Sequence, residues 1–374
     1  MSASGGAAAG RDARPPDPWR RLRRALRAAA LRGLAGRFGD GSAPPPDWRS
    51  VQRVLLVCVN QRLGNTLVAS AGLAAVARSL PQAELAFVGG APAAALLRGF
   101  PLARVHVVER RDAARPWRLV GLVRALRRER YDVALHLSTA TGSLGALLVG
   151  ASGARHRLGV RRAEGNVYFT TAVEAPESPH KVDELLGYLA RLGLEAQGER
   201  TLALTTAERA EGAARLRAFA GEPAGGCVAL FVGGRARKGK GWPLGAFAQV
   251  AEGLRSRGIV PVVFLGPDEL AREAEIRAAL AGAAFVVEPD ARRVGALLSA
   301  CRAVLTPDAG PMHLAVAAGV PTLAVFSRAN FERWGPRPPR GAVLLDEAGA
   351  RAGVALDALL KAAAGAPFEQ SPLP

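Results

Sequence analysis

Two turns in this sequence gather residue types suited to a phosphorylated ligand. Residues 233–243 interleave Gly233, Gly234, Gly239 and Gly241 with Arg235, Arg237, Lys238 and Lys240. Glycine lets a ligand approach the backbone, and the cations supply charge for a diphosphate. The segment lacks the G-x-x-x-x-G-K-[ST] pattern of a Walker loop. The plainer reading is an exposed basic loop. The second turn lies within Val304 to Pro321. Ala303 to Leu305 reads as a short apolar strand, and Asp308 is placed to cap a new helix. Pro311 suits its first turn, and Gly319 and Pro321 stop it. A helix start presents amide N–H groups that attract phosphate. The same residues also describe an ordinary capped turn. His313 is the surplus, a polar residue where a core helix would carry Leu.

These turns must be positioned by something, and the hydrophobic pattern says what. Val54 to Val59 is a continuous apolar and β-branched run, the signature of a buried parallel strand. The turn after it, Gln61 to Thr66, leads into a helix reaching Leu80, with Asn65 as the candidate cap. Strands are expected at Leu85–Val88, Val105–Val108 and Val133–Leu137, with helices over 91–99 and 116–129. His180 leads a further helix that ends at Gly193. A second series follows: helix 206–220, strand Cys227–Val232, helix 244–257, strand Val260–Leu265, helix 269–280, strand 284–287, helix 291–300 and strand 303–306. After the Val304–Pro321 turn come a strand to Phe326 and a last helix over 349–363. This alternation predicts an α/β protein of two doubly wound Rossmann-like domains, residues 48–200 and 201–374. The candidate turns all follow strands, so they can line the crevice where the strand ends face each other.

Residues 1–47 read as an extension. Nine Arg against four Asp give it a charge of +5. Over residues 18–38 a helix would place Trp19, Leu22, Leu26 and Ala30 on one face and most of its Arg on the other. Such a helix can lie on an anionic membrane or dock on its own protein body. Asp40 to Pro46 reads as a linker, and the Pro-rich tail after the last helix as loose.

The 374-residue chain carries a net charge of +18, with 49% hydrophobic residues. That charge admits nucleic acid, anionic lipid or a phosphorylated substrate. Aromatics are only 5%, and no basic stretch interleaves them for base stacking, which argues against nucleic acid. No apolar run is long enough for a membrane span. Cys58, Cys227 and Cys301 have no metal spacing and read as reduced thiols of a cytoplasmic protein. The five histidines lack ligand spacing, and no D-x-D pair is present, so no metal site and no cofactor is expected.

The ordered motifs resemble glycosyltransferase family 9, the heptosyltransferases of lipopolysaccharide assembly. The resemblance runs from about Val51 to about Pro336. It is carried by Leu63-Gly64-Asn65-Thr66-Leu67, the Gly153–Gly159 segment, His180-Lys181-Val182-Asp183, Lys240-Gly241-Trp242-Pro243, Gly266-Pro267-Asp268-Glu269 and the Asp308-to-Ala315 turn. It implies the GT-B architecture and metal-independent, inverting transfer from a nucleotide-diphosphate sugar, typically ADP-heptose, to a lipid-linked acceptor. It implies a cytoplasmic protein that can sit at the inner face of the membrane. By the same resemblance Lys240, with Lys238, contacts the donor diphosphate. Asp308, Ala309, Gly310 and His313 form the donor turn, and Glu269 lies near the ribose or sugar. Gly64, Asn65 and Thr66 face the acceptor. The chain departs from the family at Asn65, where an Asp is the proposed base, at Ala309, where Thr or Ser is common, and at His136, where Asp is frequent. A neutral amide cannot take a proton as a carboxylate does. Two functions follow: an active transferase with its base elsewhere, or a non-catalytic sugar-nucleotide-binding protein that kept the fold.

Overall fold

The structure, a computed structural model, describes residues 39–109, 112, 115–139, 143–161, 167–233, 241–327 and 330–374. The basic helix expected over 18–38 lies outside them, as do Arg235, Arg237, Lys238 and Lys240.

The buried apolar runs form strands as expected. The first sheet contains β1 (Arg53–Cys58), β2 (Glu84–Gly89), β3 (Leu102–Val107), β4 (Val133–His136), β5 (His156–Val160) and β6 (Thr171–Val173). The second contains β7 (Cys227–Phe231), β8 (Val260–Leu265), β9 (Ala284–Val287), β10 (Ala303–Pro307), β11 (Thr322–Phe326) and β12 (Gly341–Leu345). Their orders are β3-β2-β1-β4-β5-β6 and β12-β11-β10-β7-β8-β9, and all pairs are parallel. Parallel neighbours need crossovers, which the helices supply. In the first half these are α1 (Leu63–Ser79), α2 (Ala93–Leu96), α3 (Pro116–Arg128), α4 (Ser143–Ala151) and α5 (Lys181–Arg191). In the second they are α6 (Thr206–Ala220), α7 (Leu244–Arg255), α8 (Glu273–Ala279), α9 (Ala291–Leu298), α10 (Gly310–Ala318), α11 (Phe331–Trp334) and α12 (Ala352–Ala363). The winding reverses between β1 and β4 and between β7 and β10, so each sheet opens a crevice there. Two such domains facing one another make the GT-B architecture.

Helix α1 joins the two halves. Leu73 and Val76 pack in the core of the first, while Leu67 packs with Leu202 and Leu314 of the second. Three expectations are corrected. The linker after Asp40 is docked: Ala43 N–H donates to the Thr170 carbonyl at 2.9 Å and Gly41 accepts from Ala172 at 2.9 Å. The tail is docked too, with Phe368 buried and Leu373 N–H donating to the Val343 carbonyl at 2.7 Å. Each segment covers an edge strand whose backbone groups would otherwise lack partners. The helix over 269–280 is a 3-10 turn, Leu270–Arg272, followed by α8. Helices α4 and α11 and strands β6 and β12 were not anticipated. The α4 residues are apolar on nearly every side, so no polar face marks a helical period. β12 is a five-residue run beside a Pro-rich loop.

Candidate functional site

The site begins at the end of β1. Asn60 Oδ1 accepts from Arg62 N–H at 3.0 Å, and this turn starts α1 at Leu63. Asn65 is therefore not the cap. It lies in the first helical turn, its N–H donating to the Arg62 carbonyl at 3.2 Å. Its side-chain amide makes no hydrogen bond among the described residues. Thr66 is buried behind it.

The second turn leaves β10. Asp308 N–H donates to the Val325 carbonyl at 3.1 Å, which fixes the turn to β11. Asp308 does not cap α10. Ala309 holds the cap position in extended backbone and offers no side-chain bond. Pro311 sits in the first turn, and Gly319 ends the helix in the left-handed region at φ +81°.

The two turns meet. A Cβ on Gly64 would lie 2.5 Å from His313 Cδ2 and 3.0 Å from its Nε2. The sequence-predicted acceptor turn and donor turn are thus in contact, with two helix starts abutting. Their amide N–H groups make that junction favourable to an anion. His313 is 8% exposed and held on its far side. Arg200 Nη1 stands 2.8 Å from Nδ1, and Trp334 packs edge-on with ring centres 6.0 Å apart. A guanidinium only donates, so Nδ1 accepts and neutral His313 carries its proton on Nε2, the nitrogen beside Gly64. Arg200 also donates to the carbonyls of Trp334 at 3.4 Å and Gly335 at 3.3 Å.

Glu269 reaches across the ends of β7 and β8. Its Oε2 accepts from Gly266 N–H at 2.9 Å, and a Cβ on Gly233 would lie 1.7 Å from Oε1. Burial pushes its carboxyl above the usual carboxylate range. Gly233 is where the basic loop departs. At the loop's return Trp242 is buried, donating from Nε1 to Asp346 Oδ2 at 3.0 Å. Both ends of the segment carrying Lys238 and Lys240 are therefore anchored on the second sheet. Among the described residues no cluster of three or more His, Cys, Asp or Glu is placed to hold a metal.

More contacts close the junction behind His313. Arg333 donates to Glu184 Oε2 at 2.8 Å, and Glu184 Oε1 accepts from Lys181 at 2.7 Å. Arg337 forks onto Asp183 at 2.6 and 3.0 Å. Arg200, Trp334 and Arg333 were not singled out as site residues by the sequence. Arg200 is one Arg among many in an unpatterned connection, and only its partners mark it.

His180, expected to lead α5, caps it. Its Nδ1 accepts from Val182 N–H at 3.3 Å, and Nε2 faces the Gly335 carbonyl at 3.2 Å. Burial first, then Arg337 and Arg200, push its pKa down to about 4. The unfolded chain takes up this proton near the ordinary imidazole value, before the folded protein does. Stability is therefore whole above that value and falls as pH drops toward 4. The proton uptake accounts for about 2–3 kcal/mol of acid sensitivity. His180→Asn, which keeps a capping acceptor, is expected to flatten the loss between about pH 6.5 and 4.5, measured by urea unfolding at both ends of that range. An undiminished slope would refute the assignment.

A profile for glycosyltransferase family 9 (heptosyltransferase) matches residues 119–357. A comparison with curated proteins found no match. Among solved structures the chain is similar to the family 9 glycosyl transferase of Veillonella parvula, at 17% identity and TM-score 0.67, over 79% of this chain and 86% of that one. It is similar to the ADP-heptose lps heptosyltransferase II of E. coli, at 20% identity and TM-score 0.63, over 83% and 98%. It is also similar to E. coli heptosyltransferase WaaC with ADP-2-deoxy-2-fluoro heptose, at 18% identity and TM-score 0.63, over 82% and 98%. At these identities the likeness is one of fold.

Proposed function

This chain belongs to glycosyltransferase family 9, and from that premise we propose that it moves a heptose-type sugar from ADP-heptose to a lipid-linked acceptor of the lipopolysaccharide core type. The observation that carries the reading is the contact of Gly64 with His313, which joins the two turns needed for acceptor and donor. Support for an ADP-sugar comes from the similar E. coli enzymes, one an ADP-heptose heptosyltransferase and one bound to an ADP-heptose analogue.

In this reading the diphosphate lies over Asp308, Ala309 and Gly310 at the start of α10. Lys238 and Lys240 supply cations to it. Glu269 accepts hydrogen bonds from ribose or sugar hydroxyls. Charge developing on the leaving diphosphate is met by these cations and amides, with no metal and no cofactor. Asn65 positions the acceptor hydroxyl for attack on the far face of the sugar, which inverts it, while Thr66, expected beside it, is buried and does not reach the acceptor. Asn65 is not the base, so the proton leaves to another group or to an acceptor phosphate. The protein works at the inner face of the cytoplasmic membrane, where residues 18–38 contact anionic lipid. No helix of the described residues is long and apolar enough to cross a membrane.

The test is a nucleotide-sugar panel by calorimetry on wild type and Lys240→Ala. ADP-sugars should bind best, and Lys240→Ala should weaken them by about thirtyfold or more. If nothing in the panel binds, the reading fails. Asn65 and Ala309 motivate a second reading, a non-catalytic sugar-nucleotide-binding protein. Binding without transfer would support it, and transfer that disappears in Lys240→Ala would end it.

A further inference from the structure

Helix α3 lies on the first sheet by one face and leaves the other unpartnered. Leu126 is buried, and Leu119, Leu122 and Val123 pack beside it on the sheet. The opposite stripe, Trp117, Val120, Gly121, Arg124 and Arg128, is exposed. Trp117 is 67% exposed and Val120 47%, and Leu147 of α4, on the same side of the sheet, is 39% exposed. The helix holds no acidic residue. Arg118 is engaged by Asp112 at 3.2 Å and Arg127 by the Ala151 carbonyl at 2.9 Å. Arg124 and Arg128 have no hydrogen-bond or ion-pair partner among the described residues.

Apolar anchors at one end of a stripe and unengaged cations along the rest suit a particular partner. Trp favours the boundary between water and lipid, and Arg pairs with anionic headgroups. A nucleic acid would leave Val120 and Leu147 without a role. A second copy meeting this face by twofold symmetry would bring two cationic stripes together, with no acidic residue on either helix to pair them. We propose that the outer face of α3 seats the protein on an anionic bilayer, with Trp117 and Val120 in the headgroup layer and Arg124 and Arg128 on lipid phosphates. This is a second seat, on the folded body and separate from residues 18–38. Helix α3 starts at the carboxyl-end edge of the sheet, the edge of the acceptor turn. The seat therefore holds that edge beside the lipid surface, a use that rests on the transferase reading.

The test uses the full chain and vesicles of phosphatidylglycerol with phosphatidylcholine, read by sedimentation. Arg124→Glu with Arg128→Glu should lower partitioning about tenfold or more, each charge contributing severalfold. Trp117→Ser should also lower it, while thermal midpoint and ADP binding stay at wild-type values. Pure phosphatidylcholine should bind far less than the anionic mixture. A third variant, Arg20→Glu with Arg24→Glu, reports on the extension. The proposal is overturned if the α3 variants partition like wild type, whether or not the extension variant loses binding. It is also overturned if pure phosphatidylcholine binds equally, or if Trp117→Ser instead abolishes a vesicle-free dimer. Loss of vesicle binding with ADP affinity intact separates this seat from the donor site.

Discussion

Gly64→Val is expected to lower affinity for ADP by about hundredfold while destabilising the fold by roughly 1–3 kcal/mol. A Cβ at this position would sit 2.5 Å from His313 Cδ2, so something must move. The imidazole has little room to yield. Arg200 holds Nδ1 at 2.8 Å, and Trp334 closes its other side. The strain goes either into the α1–α10 packing, which costs stability, or into displacement of His313, which costs ligand binding. Gly310→Ala is the informative partner. Its Cβ would meet only Leu63 Cδ2, at 3.8 Å, an ordinary contact. The fold alone does not require glycine there, so that variant should keep its stability. Weaker ADP binding by Gly310→Ala would then show a ligand approaching the backbone. Urea unfolding and calorimetry on both variants decide the matter. Unchanged ADP affinity in Gly64→Val would detach His313 from the donor site.

The limits of the sequence are instructive at these positions. Val54 to Val57 are fully buried, and continuous apolar runs of that kind made the parallel strands legible. The glycines at 64 and 233 were also visible, but not the reason for them. One faces His313 and the other Glu269, and both contacts join segments far apart in sequence. The helix caps were misread for a local reason. Asn65 and Asp308 are good capping types, yet capping depends on backbone angles that neighbours decide. Asn60 closes the first turn, and Ala309 occupies the second cap in extended conformation. Arg200 carried no pattern at all. Its importance comes from burial and from what surrounds it.

Arg200→Met is the other variant with a large expected effect. Arg200 is 5% exposed, and among the described residues its guanidinium hydrogen-bonds only to His313 Nδ1 and the carbonyls of Trp334 and Gly335, with Nε unpartnered. Burial first pushes its pKa down to about 10. The unfolded chain holds that proton more tightly, so the charge costs roughly 3 kcal/mol at neutral pH. The cost is relieved as pH rises through about 10. Met removes it but strands two acceptors, His313 Nδ1 and the Trp334 carbonyl, at about 1–3 kcal/mol each, while the Gly335 carbonyl keeps His180 Nε2 at 3.2 Å. The net loss of stability should be modest, roughly 1–3 kcal/mol, because the terms oppose. Ligand binding has no such compensation. Without Arg200 on Nδ1, the orientation that turns His313 Nε2–H toward Gly64 loses one of its supports. ADP affinity should fall at least about tenfold. Arg200→Lys should not restore wild-type affinity, since an ammonium cannot span His313 and two carbonyls as a planar fork does. A Met variant that loses stability but keeps wild-type affinity would reduce Arg200 to a structural brace. A loss of affinity at little cost in stability, not rescued by Arg200→Lys, would make it the residue that orients His313.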